Sequence, residues 1–325
     1  MPGSGSGEQP GAGLRVFFMG TPALAVPTLA ALADTESLVG VATQPDRRAG
    51  RGRQPLVSPV KAWAVEHGIP LEQPATLRSA EVVMAIRSYR ADVIVVLAYG
   101  LILPAEILEM PRLGCINVHA SLLPRHRGAS PIQAAILAGD RVSGVTTMLM
   151  NEGLDTGPIL LRAELSLLPD DTAESVGQRL ASAGASLAVE TLHGLAAGHL
   201  TARQQDESAA TMTRLLSKSD GRIDWTQSAV EIDRRVRAMQ PWPVAFGDLG
   251  GRRLQIWQVE PGPENVLQDG EAMADVDGLL VGCGDGESLR ILELQRAGGR
   301  RMLAAEFLRG FALASGARFN SGAPR

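Results

Sequence analysis

Two polar side chains at the end of an apolar stretch could do chemistry together. Asn117 and His119 lie in Cys-Ile-Asn-Val-His, a run that predicts a β-strand. Side chains alternate faces along a strand, so both point one way while Ile116 and Val118 point the other. An amide donor beside an imidazole can stabilise an oxyanion and move a proton, the two needs of acyl transfer. The alternative, that both side chains satisfy neighbouring backbone groups, is less favoured for a pair than for either residue alone.

Asp155 is a third candidate, in the turn Glu-Gly-Leu-Asp-Thr-Gly between Gly153 and Gly157. An aspartate in a glycine-rich turn commonly bonds its own backbone. The functional alternative is that its carboxylate pairs with His119 and holds the imidazole in one tautomer. Spacing alone leaves both interpretations open.

The segment 44–53 is dense in arginine and contains two glycines. Its cationic residues are Arg47, Arg48, Arg51 and Arg53. A charged run of this kind is usually a solvated loop, but guanidinium groups also suit bidentate contact with phosphate. Because phosphate contact is not specific, the segment does not by itself identify a partner.

Composition bounds the class of protein. The 325 residues are 45% hydrophobic and 20% charged, which is typical of a globular chain long enough for two domains. A net charge of −4 excludes a strongly basic nucleic-acid binder, so any such contact must use local patches. Two distant cysteines exclude a disulfide framework and favour the cytoplasm. No apolar run approaches the roughly 18 residues of a membrane span.

Strands and helices alternate over 14–199, the predicted first domain. Strands are predicted at 14–18, 37–43, 91–98, around Asn117, and at 145–150. Helices are predicted after Thr21-Pro22, Ser58-Pro59 and Ser130-Pro131, and over 172–195. The alternation predicts a parallel, Rossmann-like α/β sheet covered by helices. Ligands of such sheets bind beyond the carboxyl ends of the strands, where Gly20, Gln44, Tyr99 and His119 should therefore come together.

The rest of the chain predicts different architecture. Residues 1–13 are rich in Gly, Ser and Pro and are interpreted as a disordered arm or an expression remnant. Polar, non-periodic residues 200–219 predict a linker. A helix near 228–239 and short alternating stretches at 253–259, 279–283 and 288–294 follow. They predict a small β-barrel domain over 220–325.

With these residues in view, the chain resembles the methionyl-tRNA formyltransferase family from Val16 into its C-terminal region. The resemblance is strongest over 43–61, 91–155 and 223–242. Ser-Leu-Leu-Pro at 121–124, followed by Arg127-Gly128, is similar to the folate-site segment of the wider 10-formyltetrahydrofolate-dependent family. Pro241-Trp242-Pro243 lies where the tRNA-formylating branch begins its OB-like (oligonucleotide-binding) domain.

The resemblance implies three groups of site residues. Asn117, His119 and Asp155 fall on the family's catalytic triad. The residues implied for folate binding are Leu97, Tyr99, Gly100, Ser121, Leu122, Leu123 and Pro124. The residues implied to grip the tRNA acceptor stem are Arg47, Arg48, Arg51 and Arg53. Candidates for further RNA contacts in the second domain are Arg234, Arg235, Arg237, Arg300 and Arg301.

The implied reaction is formyl transfer from 10-formyltetrahydrofolate to the α-amine of methionine on initiator tRNA, without a metal, by a monomer in the cytoplasm. Two alternatives belong to other classes. A formyltransferase acting on an amino-sugar nucleotide or on glycinamide ribonucleotide would share the triad, but would not need the arginine-rich segment and the second domain. A non-catalytic RNA-binding protein would not need Asn117, His119 and Asp155 together.

Overall fold

The computed structural model describes residues 13–49, 54–264 and 266–320. Apart from Gly13, the predicted N-terminal arm lies outside these residues. The chain divides into two compact units. Unit 1 runs to Arg127 and also includes Gly144–Leu165 and Gly177–Met212. Unit 2 comprises Gly128–Ser143, Ser166–Val176 and the chain from Thr213 onward.

The first eleven strands have the following bounds: β1 Arg15–Gly20, β2 Ser37–Ala42, β3 Arg47–Ala49, β4 Gln54–Leu56, β5 Leu71–Glu72, β6 Val93–Leu97, β7 Cys115–His119, β8 Arg127–Gly128, β9 Val142–Leu149, β10 Ile159–Ser166 and β11 Met212–Thr213. Seven of them form one sheet in the order β10-β9-β7-β6-β1-β2-β5. The pairs β2-β5, β1-β2, β1-β6 and β6-β7 are parallel. The predicted parallel α/β sheet is therefore confirmed.

The helices are α1 Val26–Thr35, α2 Pro59–Glu66, α3 Ala80–Ser88, α4 Ala105–Leu108, α5 Pro131–Ala138, α6 Ala173–Ala196, α7 Ala229–Ala238 and α8 Ala304–Arg309, with short 3-10 turns at Ala23–Ala25, Glu207–Ala209 and Lys218–Gly221. The Ser58 hydroxyl caps α2 by accepting from the Lys61 N–H at 3.1 Å. Gly139 ends α5 with a left-handed φ of 70°, as its position in the sequence predicts.

Two local predictions were wrong. Thr21 does not cap a helix, because its hydroxyl donates to the Tyr99 carbonyl at 3.0 Å and the first helical turn starts at Ala23. The strand predicted at 145–150 exists as β9 but runs antiparallel to β7, with Ile116 opposite Leu149. The apolar pattern of a strand reads the same in both directions, so the sequence carries no signal for strand direction. Sheets that are otherwise parallel often carry such a strand.

One apolar cluster supports the centre of the unit 1 sheet. Its members are Phe17, Met19, Ala42, Leu77, Ile86, Ile94, Val96, Tyr99, Leu103, Ile107 and Cys115. Every residue of β6 is buried, as expected for a central parallel strand covered on both faces. Because β7 pairs with β6 along this core, the backbone that carries Asn117 and His119 is held firmly in place.

Unit 2 contains an antiparallel sheet, which confirms the predicted β-rich second domain. Its strands are β12 Ala245–Leu249, β13 Arg252–Pro261, β14 Ala272–Ala274, β15 Leu279–Gly282, β16 Ser288–Arg296 and β17 Arg301–Leu303. They pair in the order β12-β13-β16-β15-β14, and β17 pairs with β16. Helix α7 begins with a reciprocal capping box between Ser228 and Glu231 and packs against α5 of the same unit.

Trp225 ties the end of the described chain to this sheet. Its indole is fully buried, and its ring centre lies 5.0 Å from that of Phe319. Gly247 on β12 lies beside both rings, where an added Cβ would crowd Phe319. Removing the indole would leave a large hole in the core of unit 2.

Across the described ranges, no helix combines the length and apolar character needed to cross a membrane. Both cysteines, Cys115 and Cys283, are buried free thiols. Burial raises the pKa of each thiol to about 12.

We predict that Trp225→Ala lowers the free energy of unfolding by about 3–5 kcal/mol, because the cavity left by an indole is only partly refilled. Urea titration followed by circular dichroism measures the loss. Trp242→Ala is the matched control, since the Trp242 side chain is 49% exposed in the same unit. The control should lose less than about 1 kcal/mol, and equal losses for the two variants would contradict the assignment of Trp225 as a core anchor.

Candidate active site

Strand β7 presents Asn117 and His119 on one face. Ile116 and Val118, on the other face, are buried in the apolar interior. Asn117 lies opposite Met148 of β9, and His119 lies opposite Thr146. The two polar side chains are therefore neighbours two residues apart, on backbone fixed from both sides.

Asp155 reaches both of these side chains. The Asn117 amide Nδ2 donates to Asp155 Oδ1 at 3.0 Å. Asp155 Oδ2 lies 3.6 Å from His119 Nδ1, within ion-pair distance. The His119 side chain is 7% exposed and that of Asp155 11%, so the three groups meet in a largely water-excluded place. The structure thus brings together all three residues predicted to be catalytic.

Both ring nitrogens of His119 face acceptor groups. His119 Nε2 lies 3.0 Å from the His126 carbonyl oxygen. A carbonyl can only accept, so Nε2 carries a proton and donates it. The opposite nitrogen, Nδ1, faces a carboxylate that also can only accept. At 3.6 Å this contact is longer than a hydrogen bond, and it becomes an ion pair when the ring takes up a second proton.

The turn that carries Asp155 is built from small residues and internal hydrogen bonds. Asn151 Oδ1 accepts from the Gly153 N–H at 3.1 Å and from the Thr156 hydroxyl at 2.9 Å. Gly157 lies so close to the Leu149 carbonyl that any Cβ there would clash with it. Asp155 itself has a φ of 53°, in the left-handed region that few non-glycine residues adopt.

A hydrogen-bond network that sequence reasoning missed lies behind this turn. Gln205 Nε2 donates to the carbonyls of Asp155 and Gly157, at 2.8 and 2.7 Å. Arg127 donates to Gln205 Oε1 at 3.1 and 2.8 Å and to the Glu207 carboxylate at 2.8 and 2.7 Å. The only sequence signal was Arg127 beside a turn of apolar residues. Its partners lie 78 and 80 residues away, in the segment predicted as a linker.

Charge is matched within this network. The Arg127 side chain is 3% exposed, whereas that of Glu207 is 69% exposed. The hydrogen bonds to Glu207 raise the pKa of the Arg127 guanidinium, and the same bonds lower the pKa of the Glu207 carboxyl. Burying a cation is unfavourable unless its N–H groups have acceptors. Here Nε and Nη2 donate to Gln205, and Nη1 and Nη2 donate to Glu207.

The turn at 121–124, implied to bind folate, is rigid. The Ser121 hydroxyl donates to the Arg125 carbonyl at 2.7 Å, and the Thr146 hydroxyl donates to the Ser121 carbonyl at 2.7 Å. Ser121 and Leu123 are buried, while Leu122 and Pro124 are partly exposed. Leu123 packs with Met148 and Ile159 in a small apolar cluster.

The residues at the end of β6 lie where the sequence predicted. The Tyr99 carbonyl accepts from the Thr21 hydroxyl at 3.0 Å and from Gln44 Nε2 at 3.2 Å, which links the carboxyl ends of β1, β2 and β6. The side chains of Leu97 and Tyr99 are buried, and burial raises the pKa of the Tyr99 phenol. Gly100 is exposed, with a φ of 88°.

The arginine-rich segment contains a short hairpin. Arg47 and Arg48 lie on β3, which pairs antiparallel with β4. Arg51 and Arg53 lie outside the described residues. At the base of the hairpin, Lys61 Nζ contacts Asp46 at 2.6 Å, and this hydrogen bond lowers the pKa of the Asp46 carboxyl.

The arginines considered for RNA contact in unit 2 have internal partners. Arg235 donates to the Asp220 carbonyl at 2.9 Å, and Arg237 pairs with Asp233 at 2.7 Å. The remaining placements are Arg234 beside Gly139, Arg300 with Glu306, and Arg301 with Glu293 and over the Trp257 ring. Arg235 and Arg237 therefore have structural roles at the helix C-terminus.

The described residues hold a cavity but no cluster of metal ligands. Among them, no three His, Cys, Asp or Glu side chains are arranged to hold a metal ion. A cavity of about 800 Å³ borders Ala31 and the second half of α6, and His193, His199 and Leu200 help to line it. None of the three predicted catalytic residues lines this cavity, so it is separate from the triad.

Comparison with known proteins divides the chain into two consecutive parts. Residues 14–192 match the family model described as formyl transferase, and residues 215–312 match that of the formyl transferase C-terminal domain. The methionyl-tRNA formyltransferase of Methylococcus capsulatus is 50% identical over 93% of this chain and 98% of its own length. That of Pseudomonas paraeruginosa is 48% identical over 90% and 94%.

Solved structures show the same fold at low identity. HypX from Aquifex aeolicus, in complex with tetrahydrofolic acid, aligns with a TM-score of 0.63 and 16% identity over 94% of this chain. The chain spans 49% of HypX. WlaRD, a sugar 3N-formyl transferase, aligns with a TM-score of 0.65 and 15% identity, covering 89% of this chain and 100% of WlaRD. With two matching family models and near-full-length relatives at about half identity, the chain belongs to the methionyl-tRNA formyltransferase family.

Proposed function

We propose that this protein transfers the formyl group of 10-formyltetrahydrofolate to the α-amine of methionine on initiator tRNA, giving N-formylmethionyl-tRNA for translation initiation. The observation that carries the proposal is the Asp155 carboxylate, which contacts both Asn117 and His119. The family to which the chain belongs supplies the substrates. The acidic overall charge is compatible with tRNA binding through local basic patches only.

Asn117 stabilises the oxyanion in this mechanism. A side-chain amide has two N–H donors, and one of them is held by Asp155 Oδ1. The second can donate to the formyl oxygen as negative charge develops on it. Because Asp155 fixes the amide before the reaction, no reorganisation is needed at the moment of transfer.

His119 acts beside it. Because Nε2 donates to the His126 carbonyl, the neutral His119 ring takes the proton of the attacking amine on Nδ1. The imidazolium formed in this way pairs with the Asp155 carboxylate and places positive charge near the same oxygen. In the reaction, the methionine nitrogen forms a bond to the formyl carbon and the bond from that carbon to the folate nitrogen breaks. One proton leaves the amine, and one is taken up by the departing tetrahydrofolate.

Folate binding in this proposal uses backbone more than side chains. Leu97, Tyr99, Ser121 and Leu123 are buried, so they shape the site and fix its walls. Gly100, Leu122 and Pro124 are at least partly exposed and could touch the pterin directly. Thr146 holds the turn at two points, because its hydroxyl accepts from the Leu123 N–H and donates to the Ser121 carbonyl. A turn held in this way can bind its ligand in one geometry.

RNA binding is assigned to two parts of the chain. The arginine-rich segment 44–53, with Arg47, Arg48, Arg51 and Arg53, is proposed to hold the phosphates of the acceptor stem. The antiparallel sheet of the second domain is proposed to act as an OB-like RNA-binding module. The proposed domains are a catalytic domain at 14–199, a linker at 200–219 whose residues 203–211 are hydrogen-bonded within unit 1, and the OB-like domain at 220–325. We further propose a cytoplasmic monomer, since charged tRNA is the substrate and no heptad repeat is evident.

We predict that Asn117→Ala and His119→Ala each lower the single-turnover formylation rate by at least about 10²–10³, the usual loss for an oxyanion donor. Quench-flow with methionyl-tRNA and 10-formyltetrahydrofolate measures the rate. His67→Ala is the control, since His67 is an exposed histidine stacked on Trp63 of α2. Near-normal turnover from either site variant, with the control unchanged, would remove that residue from the mechanism.

The acceptor is tested by comparing two methionine-charged tRNAs at saturating folate. We predict fast formylation of initiator tRNA, little of elongator tRNA, and neither with His119→Ala. An amino-sugar nucleotide is the third acceptor in the assay. Transfer to the sugar in place of the tRNA would refute the proposal, and tRNA binding without turnover on any acceptor would favour the non-catalytic alternative.

The role of the arginine-rich segment is tested by replacing Arg47, Arg48, Arg51 and Arg53 with glutamine one at a time. We predict weaker tRNA binding and a salt-dependence slope reduced by about one for each phosphate that is no longer bound. The KM for folate should not change. Arg78→Gln and Arg87→Gln are matched controls, because both arginines are exposed in the same unit. An unchanged salt slope in all four variants of the segment would show that it is a solvated loop.

A further inference from the structure

The segment 205–211, here called the strap, contacts the rest of unit 1 on both sides of the catalytic pair. Just before it, Arg203 exchanges two backbone hydrogen bonds with Ile159 of β10, at 2.7 and 2.8 Å. At its far end, the Thr211 hydroxyl accepts from the His126 N–H at 2.8 Å, and the Thr211 carbonyl accepts from the Arg127 N–H at 2.9 Å. The strap is therefore fixed at both ends.

Gln205 is the strap residue whose side chain meets the catalytic turn. Its two ends have different partners: Oε1 accepts from Arg127, and Nε2 donates to the carbonyls of Asp155 and Gly157. A guanidinium can only donate and a carbonyl can only accept, so the amide has one possible orientation. Gln205 is thus locked as a donor to the turn.

The position of these two carbonyls explains what the hydrogen bonds from Gln205 do to the turn. Holding the carbonyls of Asp155 and Gly157 fixes the Asp155–Thr156 and Gly157–Pro158 peptide planes. Asp155 needs such support, because a non-glycine residue with a φ of 53° is held there by its surroundings and not by its own preference. The Asp155–Thr156 plane adjoins the Cα that carries the carboxylate facing Asn117 and His119.

Arg127 and Glu207 keep Gln205 in place. The guanidinium is planar, and its fork is shared between one amide oxygen and one carboxylate, so neither partner can turn without breaking a charged hydrogen bond. The same Arg127 follows His126, whose carbonyl accepts from His119 Nε2. The strap network therefore supports both members of the His119–Asp155 pair, each through a different backbone carbonyl.

We propose that Gln205 is a positioning residue for formyl transfer, which sets the Asp155 carboxylate against Asn117 and His119 by holding the turn's carbonyls. The positioning role of Gln205 depends on the proposed function only because that function defines the reaction in which Asp155 takes part. Gln205 does not touch the reacting atoms and acts through the turn that carries Asp155. Its removal should therefore lower kcat and leave the KM for both substrates nearly unchanged.

Two substitutions separate geometry from charge. Gln205→Glu keeps the acceptor for Arg127 but loses the donor to both carbonyls and adds a negative charge. Gln205→Met has similar length, no charge and no donor. The matched control is Gln204→Glu, because Gln204 is the exposed neighbouring glutamine and undergoes the same chemical change. Thermal unfolding of all three variants establishes that each is folded.

We expect kcat to fall about 10-fold or more in both Gln205 variants, since displacement of a catalytic group by about 1 Å can cost up to about 10²-fold. The KM for each substrate should stay within about two-fold, and Gln204→Glu should match the parent. A loss confined to Gln205→Glu would assign the effect to charge and overturn the proposal. Normal kcat in both Gln205 variants, or a fall equal to that of Gln204→Glu, would also overturn it.

A second measurement needs no substrate. The chain has five histidines, so the ring nitrogens of His119 can be followed by NMR in ¹⁵N-histidine-labelled protein and assigned with His119→Ala. We expect the His119 ring signals to move in both Gln205 variants and to stay in place in Gln204→Glu. Unmoved signals would refute the positioning role even if the parent protein formylates tRNA. Moved signals in a protein that does not formylate tRNA would instead reject the proposed function and retain the positioning role.

Discussion

A carboxylate that must touch two side chains of one strand is the constraint on which the rest of this structure depends. Asp155 reaches Asn117 and His119 only because its turn folds back over β7. A charge in so enclosed a place is stable only when its acceptor positions are matched by donors. The sharp turn, the left-handed backbone of Asp155 and the glycine at 157 are all local consequences of that requirement.

The turn that carries Asp155 is itself held by residues that are distant in the sequence. Gln205 lies 50 residues from the Asp155 carbonyl that it holds, and Arg127 lies 78 residues from Gln205. Burying the Arg127 guanidinium is unfavourable by itself. Its contribution is orientation, because the planar group holds the Gln205 amide oxygen and the Glu207 carboxylate at once. Such a site is rigid because three separate segments each restrict the others, and a change in one segment reaches His119 and Asp155 through backbone carbonyls. Preorganisation of this kind is what lets fixed donors stabilise a developing oxyanion.

Periodic features of the fold could be predicted from the sequence, whereas features that depend on long-range pairing could not. Alternation along β7 placed Asn117 and His119 on one face, and the apolar run of β6 predicted a buried parallel strand. The direction of β9 has no periodic signature, and Thr21 looked like a helix cap because its competing partner, the Tyr99 carbonyl, is distant in sequence. The role of Gln205 was invisible for the same reason, since a polar stretch without periodicity is typical of a linker until its partners are known.

Rigidity at the triad has a consequence for acceptor choice. A fold shared with a protein named as a sugar formyl transferase places the sheet and its carboxyl-end turns in common, so these elements do not by themselves select the acceptor. Groups that stabilise the oxyanion respond to the formyl oxygen, which is the same whatever amine attacks it. Selection must therefore come from contacts made far from the reacting carbon, where the acceptors differ. Under the proposed function these contacts are assigned to the arginine-rich segment and to the antiparallel sheet of unit 2, where binding energy would position the amine without disturbing Asn117, His119 and Asp155.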